Sequence, residues 1–252
     1  MNEQTVIETQ ELTKVYGEQI AVNSLNLQIP QGEVFGFLGP NGAGKTTTLL
    51  MLLGLSEPTS GKAWVGGFDP TREPLKVKRI VGYLPENVGF YDDLNAMENL
   101  QYISRLNGIS EDVARPKIEE LLKVVDLQAD PKKSVGAYSR GMRQRLGIAE
   151  VLIKNPQVVF LDEPTLGLDP DGSNQMLELI RSLSKDKKIT VFFSSHLLDQ
   201  VQKISHRVGI MIKGSLVAVG RIEDLAKEKL GVGQKSYTME EIYMKYFKEE
   251  QS

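Results

Sequence analysis

The run Gly39-Pro-Asn-Gly-Ala-Gly-Lys-Thr46, followed by Thr47, constrains this chain more than any other feature. It fits the phosphate-binding pattern G-x-x-x-x-G-K-[ST]. Val34-Phe35-Gly36-Phe37-Leu38 precedes it, a short apolar run that reads as a buried strand. Leu49, Leu50, Leu52 and Leu53 follow it and read as a helix that stops at Gly54. Strand, glycine loop and helix are the context in which the pattern works. The glycines let the backbone curl so that successive N–H groups point at phosphate oxygens. The positive end of the following helix favours the same anion. Lys45 has the reach for terminal phosphates, and the Thr46 hydroxyl is a ligand for Mg²⁺.

The bulk of the chain narrows the setting. Its 252 residues suit one large or two small domains. Charged residues make up 25% and hydrophobic residues 40%, an ordinary globular balance. The net charge of −3 gives no basic excess to indicate nucleic acid as a partner. There is no cysteine, which excludes disulfides and thiolate metal sites. With only His196 and His206, a histidine-rich metal centre is not expected. The first residues, MNEQTVIETQELTKVYG, lack the apolar core of a signal peptide, and no apolar run approaches the ~18 residues of a membrane span. A cytosolic chain, or one docked on a membrane partner, is expected.

Val6 to about Leu38 reads as short β-structure, with Leu25, Leu27 and Ile29 alternating with Asn26 and Gln28. Lys62 to Val65 and Ile80 to Leu84 are further strands. From about Asn95 to Leu127 the spacing turns helical, through Leu100, Ile103 and Leu106 and then Ile118, Leu121, Leu122 and Val125. Ser139 stands as an N-cap before Met142, Leu146, Ala149 and Ile153. Asp169-Pro170 is a cap with proline at the first helical position. Val158 to Leu161 and Ile189 to Phe193 are buried strands, and Lys213-Gly214 turns a hairpin between Val208–Ile212 and Leu216–Val219. The tail from Arg221 reads as two helical pieces split by Gly231 and Gly233. Strands alternating with helices imply an α/β fold with a mainly parallel sheet covered on both faces.

Two more elements carry chemistry. The strand Val158–Leu161 delivers Asp162 and Glu163 at its carboxyl end, where ligands bind parallel sheets. Asp162 suits Mg²⁺, directly or through water, and Glu163 suits an attacking water. Ser194-Ser195-His196 ends another apolar strand at the same edge, where a histidine can contact a γ-phosphate. His206 reads as structural. Tyr16 is either a base-stacking ring or one of eight tyrosines; the residues alone do not choose.

Gly39–Thr46, Tyr138-Ser-Arg-Gly-Met-Arg-Gln-Arg145, Phe160-Leu-Asp-Glu-Pro164, Gly167-Leu-Asp169 and His196 occur in the order of an ATP-binding-cassette ATPase, which the chain resembles over residues 5–225. The Ser139–Gly141 signature marks this family among phosphate-loop proteins, and no N-K-x-D guanine motif is present. The resemblance implies a phosphate-loop core with an N-terminal antiparallel β subdomain and an inserted helical subdomain at about 87–156. The ATPase domain would cover 1–230 and a short helical extension 231–252. ATP and Mg²⁺ are implied. The nucleotide contacts would be Tyr16, Gly39, Asn41, Gly42, Gly44, Lys45, Thr46, Thr47, Ser139, Gly141 and Asp169. The metal contacts would be Thr46, Glu86 and Asp162, and the catalytic residues Glu163, His196 and Lys45.

The resemblance further implies that Ser139 and Gly141 close over ATP held by another cassette. The partners would then be a second copy or a paralogous cassette and an integral membrane permease subunit, with no nucleic acid, on the cytoplasmic face of the cell membrane. Two positions depart from the usual pattern. The signature L-S-G-G-Q is here Tyr138-Ser-Arg-Gly-Met142, and the usual linker glutamine is Glu86 in Tyr83-Leu-Pro-Glu-Asn87. Both departures resemble cassettes of type-2 exporters, whose members handle drugs, antibiotics, sodium or glycolipids. Gly82–Tyr91 is also similar to cassettes of the copper-enzyme maturation transporter associated with nitrous oxide reduction. Soluble cassettes acting on ribosomes or DNA usually carry twin cassettes or long coiled-coil insertions. A non-hydrolysing regulatory cassette would lack Lys45, Asp162, Glu163 or His196.

Overall fold

The computed structural model describes residues 4–231 and 237–249. Two sheets organise it. The smaller has the order β2-β1-β4, built from β1 (Thr5–Tyr16), β2 (Gln19–Pro30) and β4 (Ser60–Val65), all antiparallel. The larger contains β3 (Val34–Leu38), β5 (Val81–Leu84), β6 (Val158–Asp162), β7 (Thr190–Ser195), β8 (Arg207–Ile212) and β9 (Ser215–Gly220). Its order is β5-β6-β7-β3-β8-β9, parallel except for the final β8–β9 hairpin. This is the mainly parallel α/β core with an antiparallel β unit that the sequence implies.

Strands β3, β6 and β7 are buried along their whole length. That explains their continuous apolar composition, because helices or a second sheet cover both faces. Alternate residues point into two different cores. Phe35, Phe37, Phe160 and Phe192 join Leu49, Leu52 and the small sheet. Val34, Leu38, Leu161, Val191 and Phe193 join the helices of the opposite side. The period of two in side-chain direction thus divides one apolar sequence between two layers.

Helix α1 (Lys45–Leu52) leaves the glycine loop, and α2 (Pro74–Ile80) precedes β5. Helices α3 (Ala96–Leu106), α4 (Glu111–Val124) and α5 (Arg140–Leu152) fall between 87 and 156. Helix α6 (Pro170–Lys185) follows β6, and α7 (Leu198–Ile204) follows β7. The two expected caps, at Ser139 and Asp169, are in place, and a third stands at Asn95. Asn95 and Glu98 form a reciprocal capping box, Ser139 Oγ accepts from Met142 N, and Asp169 Oδ1 accepts from Gly172 N.

The tail is helical in two pieces, α8 (Ile222–Leu230) and α9 (Met239–Glu249). Gly231 ends α8 with φ of 93°, while Gly233 lies outside the described residues. Met239, Ile242 and Tyr246 of α9 are buried in the larger core. The Gln202 amide fixes α9 by donating to Tyr237 O at 3.2 Å and accepting from Met239 N at 2.8 Å. The sequence reading places Ile80 in a strand, whereas it closes α2 and the strand starts at Val81.

Candidate functional site

Register sets the site. Leu38 pairs with Ser195, Asp162 with Ser194, and Leu84 with Leu161. The carboxyl ends of β3, β5, β6 and β7 are therefore level. The glycine loop, Glu86, Asp162-Glu163 and His196 all emerge at this one edge, where parallel sheets bind ligands.

The loop is built for a close anion. Gly44 caps α1 at φ of 102°, a conformation L side chains rarely adopt, and a side-chain carbon there would run into Ala21 O and lie 2.8 Å from Met211 Cε. With no side chain at the cap, α1 has no side-chain cap hydrogen bond. Its first N–H groups are the natural partners of phosphate. Lys45 is buried, and its Nζ donates to Gly39 O at 2.7 Å and Pro40 O at 3.2 Å. The same Nζ lies 3.5 Å from Glu163 Oε1.

The acids are held differently from one another. Asp162 Oδ2 accepts from Thr46 Oγ1 at 2.9 Å, and Oδ1 accepts from Ser194 Oγ at 2.5 Å. Glu163 is a buried non-glycine residue at φ of 50°. That conformation costs roughly 1–2 kcal/mol. Its N–H donates to Ser194 Oγ at 3.0 Å, and its carbonyl accepts from Leu166 N at 3.0 Å, which holds the backbone in place. His196 Nδ1 lies 2.9 Å from Glu163 Oε2. A proton on Nδ1 makes this contact a hydrogen bond to the carboxylate and turns Nε2 into an acceptor. Glu163 Oε1 is buried and has no hydrogen-bond partner.

Tyr16, Asn41, Gly42, Gly44, Lys45, Thr46, Thr47, Glu86 and Glu163 line one cavity of about 390 Å³. Gly39 and Asp162 touch it through Lys45 and Thr46, and His196 through Glu163. Tyr16 is exposed, with Lys14 Nζ 4.8 Å from its ring centre. Tyr83 stands behind the acids. Burial first, then the charges of Asp162 and Glu86, push its hydroxyl up to about 12, so it stays protonated.

Ser139, Gly141 and Asp169 lie elsewhere. They line a second cavity of about 320 Å³ with Arg140 and Gly167. The two cavities share no lining residue. One chain thus separates the two groups of motif residues.

The arrangement fits Mg²⁺. Among the described residues no three His, Asp or Glu side chains cluster as a metal cage. Magnesium does not need one, because it binds through one or two carboxylates with phosphate oxygens and water. Thr46 Oγ1 and Asp162 Oδ2, adjacent at the wall of a phosphate cradle, supply that kind of donor set.

A family model described as ABC transporter matches residues 22–166. The chain belongs to the ABC transporter family. The bacitracin transport ATP-binding protein BcrA of Bacillus licheniformis is 46% identical over 213 residues, covering 84% of this chain and 69% of BcrA. The linearmycin resistance ATP-binding protein LnrL of Bacillus subtilis is 34% identical, covering 87% of this chain and 70% of LnrL. A dimeric ATP-binding cassette in a post-hydrolysis state with ADP and phosphate superimposes with a TM-score of 0.77. It is 25% identical and covers 86% of this chain and 98% of that one.

Sequence reasoning assigned no role to Ser194, although it noted the residue beside His196. Its hydroxyl donates to Asp162 and accepts from the Glu163 N–H, so it ties Asp162 to the strained Glu163. Ser194→Ala strands two buried groups, at about 1–3 kcal/mol each. The expected result is a lower unfolding midpoint and a weaker kcat/KM for Mg-ATP, with Ser194→Thr restoring both. An Ala variant that matches the parent in both measurements would remove this role.

Proposed function

We propose that this chain is the ATP-hydrolysing subunit of an ABC transporter. It pairs with a second copy, or a paralogous cassette, around two ATP molecules and drives a separate integral membrane subunit, as an exporter. The observation that carries this is the division of the motif residues between two cavities. The phosphate loop, Asp162 and Glu163 form one half-site, and Ser139 and Gly141 belong to another. Juxtaposing two chains with the cavities face to face completes each half.

ATP is the substrate. Lys45 and the loop N–H groups hold its β- and γ-phosphates. Magnesium at Thr46 and Asp162, with Glu86 on the same wall, would neutralise phosphate charge. Glu163 Oε1, buried and without a hydrogen-bond partner, accepts the proton of the attacking water. The water oxygen bonds to the γ-phosphorus, and the bond to the β–γ bridging oxygen breaks, its electron pair leaving with ADP. His196 orients Glu163 through the Oε2 contact.

The link to a membrane partner would run through the loop after β5. Gln144 Nε2 on α5 donates to Glu86 O at 3.4 Å, and Arg143 on the same helix pairs with Asp92 at 2.5 Å. A loop holding Glu86 is thereby tied to the helix that Ser139 caps. Tyr91 and Tyr102 stack edge to face beside it at 4.9 Å and are both exposed, which suits a docked partner helix. No helix among the described residues is long and apolar enough to cross a membrane, and this reading assigns the membrane step to the partner subunit. The Glu86 and Arg140 departures, with a relative named for linearmycin resistance, support export. The working place of the chain is then the cytoplasmic face of the membrane.

The test is phosphate release by the purified chain with Mg-ATP, together with size-exclusion chromatography with and without ATP. Hydrolysis stops when a chelator removes Mg²⁺ and returns on its addition, and Thr46→Ala raises the Mg²⁺ needed. No release above background, or a strict monomer with ATP present, would count against the reading.

A further inference from the structure

We infer that Arg140 contacts the terminal phosphate of the ATP held by the partner copy, as a cationic catalytic residue supplied in trans. This rests on the composite-site reading above. The usual signature has glycine at this position, so the contact goes beyond what the usual signature supplies.

Among the described residues, four charged side chains line the cavity that contains Ser139: Arg140, Arg145, Asp169 and Asp171. Three of them are answered within the chain. Arg145 Nη1 lies 3.5 Å from Asp126 Oδ2. Asp169 Oδ1 is taken by Gly172 N at 2.9 Å. Asp171 sits in the first turn of α6, where the helix end favours an acid. Arg140 is exposed and makes no hydrogen bond or ion pair among the described residues. No acid stands in the first turn of α5 to answer it. An unanswered guanidinium therefore sits at the same mouth as Ser139 and the N-terminus of α5.

The guanidinium rests close to Gly167. A side-chain carbon at Gly167 would lie 2.5 Å from Arg140 Nη1 and 2.7 Å from Cζ. Gly167 has φ of 72°, so the absence of a side chain there serves both the turn and the slot. The Arg140 guanidinium lies over the bare backbone of Gly167, with no side chain beneath it for an incoming phosphate to displace. A planar fork of five donors matches phosphate oxygens in pairs. In phosphoryl transfer, charge collects on those oxygens, and a cation supplied from a second chain stabilises it.

The test separates action in trans from a brace within the chain. Arg140→Ala lowers kcat by about ten- to a hundredfold, the scale of a hydrogen bond to a charged group, and Arg140→Lys recovers part of it. Folding is checked by the unfolding midpoint, which stays at the parent value. Next, Arg140→Ala chains are mixed with Lys45→Ala chains. Each is weak alone, but a mixed dimer holds one site with an intact Lys45 and a partner's intact Arg140. The expected result is a rate several-fold above either chain alone. A Ser139→Ala plus Lys45→Ala mixture is the reference for the sandwich itself. If the reference recovers and the Arg140 mixture does not, Arg140 acts within its own chain and the inference is overturned. If neither recovers, the composite site falls and the inference with it. An Arg140→Ala chain with parental kcat would also overturn it.

Discussion

Glu163→Gln lowers kcat by about 10²–10⁴-fold while leaving ATP binding in place. The substitution keeps the shape of the side chain and removes its negative charge, and with it the ion pair of Oε1 to Lys45 Nζ at 3.5 Å. Glutamine has the same length, and the backbone that presents it is fixed without the carboxylate. The Glu163 N–H is held by Ser194, and its carbonyl by Leu166 N. The amide can turn its oxygen toward His196 Nδ1, which now meets Glu163 Oε2 at 2.9 Å. What is lost is the basic oxygen, Oε1, which is buried without a hydrogen-bond partner. ATP drives closure by binding the closed dimer better than ADP does. Blocking hydrolysis therefore makes the ATP-bound dimer accumulate. The measurements are steady-state phosphate release and the elution volume with Mg-ATP. A rate close to the parent's would remove Glu163 as the base. A lost rate with no dimer would keep the base and count against the sandwich.

How much of this was legible depends on how local each signal is. The strand–loop–helix unit around Lys45 is written in consecutive residues, so its form and position follow from sequence. The same holds for the caps at Ser139 and Asp169, each a side chain bonding three residues onward. Helix α2 was missed because it has only seven residues and offers the core just Val77 and, at its last position, Ile80, too short a pattern to read as a helix. Long-range pairs were invisible in principle. Ser194 meets Asp162 across 32 residues, and Arg143 meets Asp92 across 51. Only strand register and helix docking bring them together. The separation of Ser139 and Gly141 from the phosphate loop was expected from the family resemblance; the structure adds that the two groups line different cavities. Arg140 read only as a departure from a pattern. Its meaning depends on the bare backbone of Gly167, 27 residues on, and on an absence of partners that no sequence displays.

Phe192→Ala is the substitution expected to cost most stability. The ring is fully buried, 5.1 Å from Phe37, 5.4 Å from Phe35 and 5.7 Å from Phe160 between centroids. These four side chains come from β3, β6 and β7, the three strands that deliver the phosphate loop, Asp162-Glu163 and His196. Removing the ring loses its transfer free energy and leaves a cavity that three strands, each paired on both sides, cannot readily close. The cost is about 3–5 kcal/mol, a large part of a total near 5–15 kcal/mol. For a chain of this size the midpoint falls by roughly 6–20 °C. Phe192→Leu fills more of the space and loses less. Saturating Mg-ATP raises the variant's midpoint again, because it binds only the folded form. Below the new midpoint the variant keeps most of its kcat, since Phe192 packs among Phe35, Phe37 and Phe160 and does not line the nucleotide cavity. That pairing of a large thermal loss with a small kinetic one is the reverse of Glu163→Gln. Thermal unfolding and phosphate release on the same preparations measure both. A Phe192→Ala midpoint within a degree or two of the parent would show that the aromatic cluster does not hold the three strands in register.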